Sequence, residues 1–176
     1  DLVTYDAALN ACAIGRQPER ALSLFDSLQQ EGLTAELSQW CHLLDAIGPD
    51  HAPARSRLLQ MVGQPFFAGA ESIEAGVPAL DLHGLSAGAA EMVVRWWLLD
   101  ELSQRLSSSK MSAPTQVVLV AGHGESRVLK EAGVVKQRVL ELASELGTVV
   151  EQSNRGRVVL EWPLTGSGNA SAIVEY

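Results

Sequence analysis

The chain has 176 residues, 47% of them hydrophobic, which is enough apolar surface for one ordinary domain or two small ones. Its net charge of −8 argues against a protein that binds nucleic acid over its whole surface. No apolar run is long enough to cross a membrane, and two cysteines without a Cys-x-x-Cys pair argue against structural zinc and against a disulfide framework. The chain lacks an initiator methionine and opens within a repeat-like pattern, so we expect a fragment of a longer protein.

The acidic excess is concentrated in the first part of the chain. Residues 1–78 carry 10 acidic and 4 basic side chains, whereas residues 79–176 carry 11 and 9. A basic patch for an anionic partner is therefore expected in the second part. Its basic residues include Arg127, Lys130, Lys136, Arg138, Arg155 and Arg157.

Residues 1–36 predict two helices joined by a tight turn, about the size of one helical repeat. Thr4 is expected to cap the first helix and Gly15 to end it. Pro18 stands in the first turn of the second helix, where a missing N–H costs little. Residues that recur at i, i+4 and i+7 would face the core from the first helix: Tyr5, Leu9 and Cys12.

A second, degenerate helix pair is predicted over residues 37–63. Trp40 takes the place that Tyr5 holds in the first pair, and Asp50 is expected to cap the second helix. The following stretch, residues 64–78, is rich in glycine, alanine and proline and therefore predicts a linker.

Residues 79–176 predict a two-layer α/β domain with the order strand, helix, strand, helix, strand, strand. Short apolar runs bounded by turn residues predict the strands, and an apolar period of 3.6 residues predicts the helices. The whole chain is thus expected to join helical hairpins to an α/β domain. The predicted strands are the run that starts at residue 79 and ends at His83 and Gly84, then 116–121, 148–151 and 158–162, with a short strand after residue 166. The predicted helices cover 86–106 and 133–146.

Two of the predicted strands end in a histidine beside a glycine, and both ends are expected to converge at one edge of the sheet. Alternation along the first strand places Asp81 and His83 on one face and Leu80 and Leu82 on the other. A carboxylate beside an imidazole orients it for proton transfer or holds a divalent ion. The alternative is a polar cap at the strand end.

The second strand leads into His123 between Gly122 and Gly124, where glycines would let the backbone approach a phosphate closely. Any tight turn from strand to helix has the same composition, so this signal is weak by itself. Arg127 follows and either contacts a phosphate or is a solvated loop residue. The core is the expected place of three tryptophans, Trp96, Trp97 and Trp162. For Trp162 the alternative is stacking on a base.

Three motifs in this order resemble those of the Smr (small MutS-related) domain. Leu80-Asp81-Leu82-His83 is similar to its signature, and Gly122-His123-Gly124-Glu125-Ser126-Arg127 is similar to its second motif in plant-type PPR-Smr proteins. Asn154-Arg155-Gly156-Arg157 is similar to a turn near the end of those domains. The resemblance assigns Asp81, His83 and His123 to catalysis and six residues to nucleic-acid contact: Gly122, Gly124, Ser126, Arg127, Arg155 and Arg157.

The first helix pair resembles a pentatricopeptide (PPR) repeat, both in its opening stretch, residues 2–12, and in Glu19-Arg20-Ala21-Leu22-Ser23-Leu24-Phe25. In that family the fifth and last positions of a repeat choose the RNA base. With Leu2 as the first position, these fall on Asp6 and Glu36. Asp6 departs from the usual asparagine, serine or threonine, so the resemblance names no base.

Together the resemblances imply a protein that binds single-stranded RNA and has an endonuclease domain for RNA processing in a chloroplast or mitochondrion. The alternative is a non-catalytic adaptor for RNA, DNA or a protein partner, and DNA nicking is a third possibility. No motif requires a metal, although Asp81 is the residue that would hold Mg²⁺. No membrane association is expected.

Overall fold

The structure, a computed structural model, describes residues 1–108, 114–121, 131–148, 150–154 and 156–162. These residues form two compact units. The first, here called the helical unit, comprises Asp1–Ala68 and Gly84–Ala89. The second, the sheet unit, comprises Gly69–His83 and the described residues from Ala90 onward.

The helical unit contains two consecutive helix pairs, as the sequence predicts. The first helix contacts both the second and the third, and the fourth contacts the third. The helices are α1 (Leu2–Gly15), α2 (Pro18–Gln30), α3 (Leu37–Ile47) and α4 (Ala54–Val62), followed by a 3₁₀ turn at Pro65–Phe67.

Two of the predicted helix starts are wrong. Asp1, not Thr4, caps α1: its Oδ1 accepts the Thr4 backbone N–H at 2.9 Å and the Thr4 hydroxyl at 3.0 Å. A carboxylate at this position also interacts favourably with the positive end of the helix dipole. Helix α4 begins at Ala54 rather than near Asp50, because Pro53 lies directly before its first turn, a position that suits the fixed φ of proline.

The core of the helical unit is built around an aromatic pair. The rings of Phe25 and Trp40 lie with centroids 4.5 Å apart and planes tilted by 57°. Offset and tilted aromatic pairs add to the free energy gained from burial alone. Both cysteines are buried and form no disulfide. Large aliphatic side chains with no exposed surface complete this core: Leu9, Leu28, Leu43 and Leu44.

The sheet unit contains one five-stranded sheet with the strand order β1-β2-β3-β5-β4. Strands β2 and β3 are parallel, and the other neighbours are antiparallel. This agrees with a mixed α/β arrangement following a helical segment. The strands are β1 (Glu71–Glu74), β2 (Val77–Asp81), β3 (Gln116–Val120), β4 (Val150–Asn154) and β5 (Arg157–Glu161).

Strand β1 lies inside the stretch that composition predicts as a linker, so this strand was not expected. The short strand predicted after residue 166 lies outside the residues that the structure describes. The turn that joins β1 to β2 uses Ala75 and Gly76, which both have positive φ (50° and 83°). Positive φ at both central residues is typical of a two-residue hairpin turn. The glycine that suggested a linker therefore makes a hairpin. β1 is an edge strand, and Ile73 in it is 76% exposed, so it shows no alternation of buried residues.

The predicted helix over 86–106 is present with a change of period in its middle. It consists of α5 (Ala87–Trp96), a π-helical turn (Trp97–Glu101) and α6 (Leu102–Ser108). A π turn widens the helix and shifts which residues face inward. Trp97 is fully buried, whereas Trp96 is only half-buried. The remaining helix is α7 (Glu131–Glu145), and Trp162 is buried as predicted.

The two faces of the sheet differ in character at the end of β2. Register pairs Leu80 with Leu119 and Leu119 with Val158, and all three are almost fully buried. One residue further along the strand, Asp81 pairs with Val120 on the opposite face.

Among the described helices, none is long and apolar enough to span a bilayer.

Candidate active site

The Asp81–His83 pair lies at the carboxyl end of β2. Its neighbours Leu80 and Leu82 are each 1% exposed, so two buried leucines fix the alternation of the strand. The polar side chains lie on the other side and reach solvent, since His83 is 56% and Asp81 50% exposed. The alternation predicted from the sequence is therefore confirmed, and the two side chains touch each other.

One carboxylate oxygen holds both the main chain and the ring of His83. The His83 backbone N–H donates to Asp81 Oδ1 at 2.9 Å, and the ring Nδ1 is paired with the same oxygen. The adjoining main chain is anchored as well. Asp81 donates its N–H to the Ala70 carbonyl at 2.7 Å, and Leu82 donates to the Val120 carbonyl at 2.9 Å. The pair is thus built on fixed backbone.

Strand register brings the Asp-x-His motif to the same edge of the sheet as the described residues next to the two other motifs. Asp81 is paired with Val120 in β3, and Val120 is paired with Arg157 in β5. The Ala121 N–H then donates to the Gly156 carbonyl at 2.8 Å, which extends the β3–β5 ladder toward the β4–β5 turn. The Asp-x-His motif, the segment that enters the glycine-rich motif and the Asn-x-Gly turn therefore share this edge.

Several predicted site residues lie outside the part of the chain that the structure describes. Their roles stay predictions from the sequence. They are the catalytic candidate His123 and the nucleic-acid-binding candidates Gly122, Gly124, Ser126, Arg127 and Arg155.

Arg157 is described, and it has an acidic partner. Its Nη2 lies 3.0 Å and 3.1 Å from the two carboxylate oxygens of Glu74 in β1. The two side chains are 41% and 36% exposed. Arg157 is therefore accessible at the sheet edge, but part of its charge is already balanced within the sheet unit.

The predicted base-reading residue Asp6 has partners on α3 in the helical unit. Gln39 donates from Nε2 to Asp6 Oδ1 at 2.6 Å, and His42 Nε2 lies 3.6 Å from the same oxygen. Gln39 is only 3% exposed, and its Oε1 accepts the Glu36 N–H at 2.9 Å. Glu36, the other base-reading candidate, directly precedes α3. Gln39 therefore contacts both predicted positions.

Sequence reasoning missed a buried carboxylate. Glu91 in α5 is 8% exposed and receives a two-pronged hydrogen bond from Arg138 of α7, with Nη2 to Oε1 at 2.7 Å and Nε to Oε2 at 2.8 Å. Arg95 adds bonds of 3.1 Å, and Glu145 bridges to both arginines. In the sequence, the i,i+4 spacing of Glu91 and Arg95 indicates an ion pair on one helix face.

This network shifts the ionisation of its members. Burial by itself would raise the pKa of Glu91, but the hydrogen bonds from Arg138 and Arg95 outweigh burial and hold the pKa below its ordinary value. The hydrogen bond to Glu91 likewise raises the pKa of Arg138. These groups join α5 to α7, and we assign them to the stability of the sheet unit.

The described residues contain no group of three or more histidine, cysteine, aspartate or glutamate side chains arranged to hold a metal ion. Proteins often hold Mg²⁺ with one or two carboxylates together with substrate phosphates. Asp81 would be that carboxylate here, but its Oδ1 is already engaged by His83.

Comparison with known proteins gives one informative match. The chain is 28% identical over 91 residues to a pentatricopeptide repeat-containing protein of Arabidopsis thaliana. The match covers 47% of this chain and 18% of that protein, so this chain is similar to a small part of a much longer relative. No family model matches the chain, and no solved structure matches it. The likeness to the PPR protein agrees with PPR-like features in this chain.

Proposed function

We propose that this chain binds single-stranded RNA through its PPR-like helical unit and cleaves RNA in its sheet unit, as a PPR-Smr protein with Asp81 and His83 in the catalytic site. The strand register that places Asp81 beside Val120, and Val120 beside Arg157, carries this proposal. It groups an acid–imidazole pair with Val120, two residues before the glycine-rich motif, and with Arg157, the last residue of the Asn-x-Gly-Arg motif. The Smr resemblance assigns both motifs to nucleic acid.

The exposure of the pair supports a polymeric substrate. A side chain that is 56% exposed at a strand end can reach a phosphodiester without an enclosing pocket. The imidazole supplies proton transfer near neutral pH. Arg157 lies at the same edge and would contact phosphate, at the cost of weakening its ion pair with Glu74.

RNA binding by the helical unit is supported by the PPR-like repeat and by the similarity to a PPR protein. Asp6 and Glu36 remain the proposed base-contacting residues. Because Gln39 holds Asp6 Oδ1, base contact at this position would have to use the other carboxylate oxygen or replace the bond to Gln39. We therefore expect this repeat to contribute little to base selection.

A cleavage assay on the whole chain tests the catalytic part. Labelled single-stranded RNA and duplex DNA are incubated with Mg²⁺ or with EDTA, beside the variants Asp81→Ala and His83→Ala. Glu161→Gln, an exposed carboxylate at the far end of β5, serves as the matched control. We expect the parent and the control to cleave RNA and both site variants to lose cleavage while still binding it.

The second candidate is a non-catalytic adaptor. The observation that favours it is the charge of −8 together with an Asp6 carboxylate already engaged by Gln39. Equal inertness of the parent and the site variants, with RNA binding retained, would establish the adaptor. Cleavage of duplex DNA but not of RNA would instead indicate a nicking enzyme.

PPR-Smr proteins act in organelles, and we propose the same for the protein that contains this chain. The resemblance alone supports a chloroplast or mitochondrion. Imaging of the full-length protein fused to a fluorescent protein in plant cells would test the placement, and a purely nuclear or cytosolic signal would contradict it.

A further inference from the structure

The helical unit includes a stretch that comes much later in the chain than its four helices. This stretch, Gly84–Ala89, begins at the residue directly after His83. It consists of a turn and the first residues of α5. Any element of the helical unit that holds this stretch therefore also holds the main chain that leaves His83.

Helix α3 contacts this stretch at two places. The Ser86 hydroxyl donates to Asp45 Oδ1 at 2.8 Å, and Ser86 Oγ accepts the Ala89 N–H at 3.2 Å. Ser86 thus caps the start of α5, and its bond to Asp45 fixes the orientation of the capping hydroxyl. One turn earlier on α3, the thiol of Cys41 donates to the Gly84 carbonyl at 3.8 Å.

The close fit to α3 explains both glycines of this stretch. A Cβ at Gly88 would overlap the Asp45 carboxylate, and a Cβ at Gly84 would lie 2.9 Å from Leu37 Cδ2. Gly84 also has a φ of +78°, which disfavours residues with a side chain. Leu85 follows it and is 5% exposed. Close approach to α3 therefore restricts this stretch to its observed conformation.

We propose, building on the function proposed above, that Asp45 is a positioning residue of the candidate site. On one side of His83, the Leu82 N–H donates to the Val120 carbonyl and fixes the strand end. On the other side, Asp45 fixes Ser86 and with it the start of α5. The helical unit thus serves both RNA binding and the placement of a side chain that acts on RNA.

The exposure of His83 gives this placement its importance. Its side chain is 56% exposed, so surrounding side chains restrain it less than they would in a buried site. Its position therefore depends on the main chain on both sides of it. A misplacement of about 1 Å can lower the rate of an enzyme by about 10²-fold.

The kinetic test compares variants of the whole chain at Asp45. Asp45→Ala should lower kcat for labelled RNA by about 10-fold to 100-fold and leave KM and RNA affinity unchanged. Asp45→Asn retains an oxygen that accepts the Ser86 hydroxyl, so it should keep most of the parent's rate. Asp50→Ala, at an exposed position beyond the end of α3, is the matched control and should cleave as the parent does.

A second pair of variants tests the contact itself. Gly88→Ala should lower kcat as Asp45→Ala does, because the added Cβ overlaps the carboxylate. In the double variant the remaining atoms of residue 45 lie 3.8 Å or more from that Cβ. The double variant should therefore be no slower than Asp45→Ala alone. Losses that simply add would contradict a direct contact.

An NMR measurement follows the turn independently of turnover. The ring signals of His83 and the solvent exchange of the Ala89 amide should change in Asp45→Ala and in the milder variant Ser86→Ala. Neither should change in Asp50→Ala. His83 signals that stay as in the parent in both Asp45→Ala and Ser86→Ala would overturn the inference, whether or not the parent cleaves RNA.

The outcomes distinguish this inference from the proposed function. Cleavage that Asp45→Ala leaves unchanged, or reduces only through a higher KM, would overturn the inference and leave the nuclease intact. An inert parent whose His83 signals still respond to Asp45→Ala would refute the nuclease, whereas the placement of His83 by α3 would stand.

Discussion

The helical unit and the sheet unit each contain an aspartate that the sequence marks as functional, and the two are held differently. Asp6 binds Gln39, which lies 33 residues further along the chain on another helix. Asp81 binds His83, two residues away on the same strand end. The first bond joins two elements of a fold, whereas the second orients a side chain that faces solvent.

This difference distinguishes a contact that stabilises the fold from a contact that orients a side chain of the candidate site. A polar contact between distant elements contributes to folding, because the Gln39 amide is buried and needs a partner. A contact between exposed neighbours contributes little to folding, so its presence at a strand end calls for another reason. We accordingly expect Asp6 to act mainly in stability and Asp81 in the candidate site, and five predictions test how far the comparison holds.

The largest effect is expected in the helical core. Phe25→Ala should lower the free energy of unfolding by about 4 kcal/mol, because it removes a fully buried ring in contact with Trp40. Chemical denaturation measures it. Val3→Ala, at a position that is 78% exposed, is the matched control and should change stability by less than about 0.5 kcal/mol. Equal effects of the two would contradict the proposed core.

The sheet unit should be most sensitive at Glu91. Glu91→Gln should lower the free energy of unfolding by about 3 kcal/mol, because it leaves two arginines without a buried carboxylate partner. Chemical denaturation of this variant and of the exposed control Glu161→Gln measures the difference.

The same residue predicts a pH dependence. The pKa of Glu91 is lower in the folded state, so its contribution is present above the ordinary value of 4.5 and is lost as the pH falls through the folded-state pKa. The parent should therefore lose its stability advantage over Glu91→Gln in acid. A difference that stays constant from pH 7 to the acid limit would refute the role of the ion pairs.

The two aspartates are compared directly by truncation. Asp6→Ala should cost about 1–2 kcal/mol, because Gln39 loses a charged partner. Asp81→Ala should change stability by less than about 0.5 kcal/mol while it reduces cleavage. Unfolding curves and the RNA assay on the same preparations measure both effects. A larger stability loss in Asp81→Ala than in Asp6→Ala would contradict the comparison.

The smallest effect concerns the sheet edge. A double-mutant cycle with Arg157→Gln and Glu74→Gln should give a coupling of about 0.5 kcal/mol, because both side chains are partly exposed. The coupling should shrink in high salt. RNA binding should fall more in Arg157→Gln than in Glu74→Gln. Equal losses would show that the pair acts only in stability.

Local patterns in the sequence were sufficient for most of the elements. The periodicity of Leu9 and Cys12, the position of Pro18 and the apolar run of β3 predict helices and strands that the structure contains. These signals depend on neighbours within a few residues. They failed at β1, because an exposed edge strand has no buried face to produce alternation, and at the π turn, where one widened turn changes the period.

For the candidate site, the sequence by itself determined that Asp81 and His83 share a face, because alternation is a property of any strand. Tertiary structure decided the rest. Only strand register placed Val120 beside Asp81 and Arg157 beside Val120. Only the packing of α3 on α1 engaged Asp6 with Gln39, and only the packing of α5 and α7 buried Glu91. Each of these depends on contacts between residues more than 30 positions apart, which no local pattern encodes.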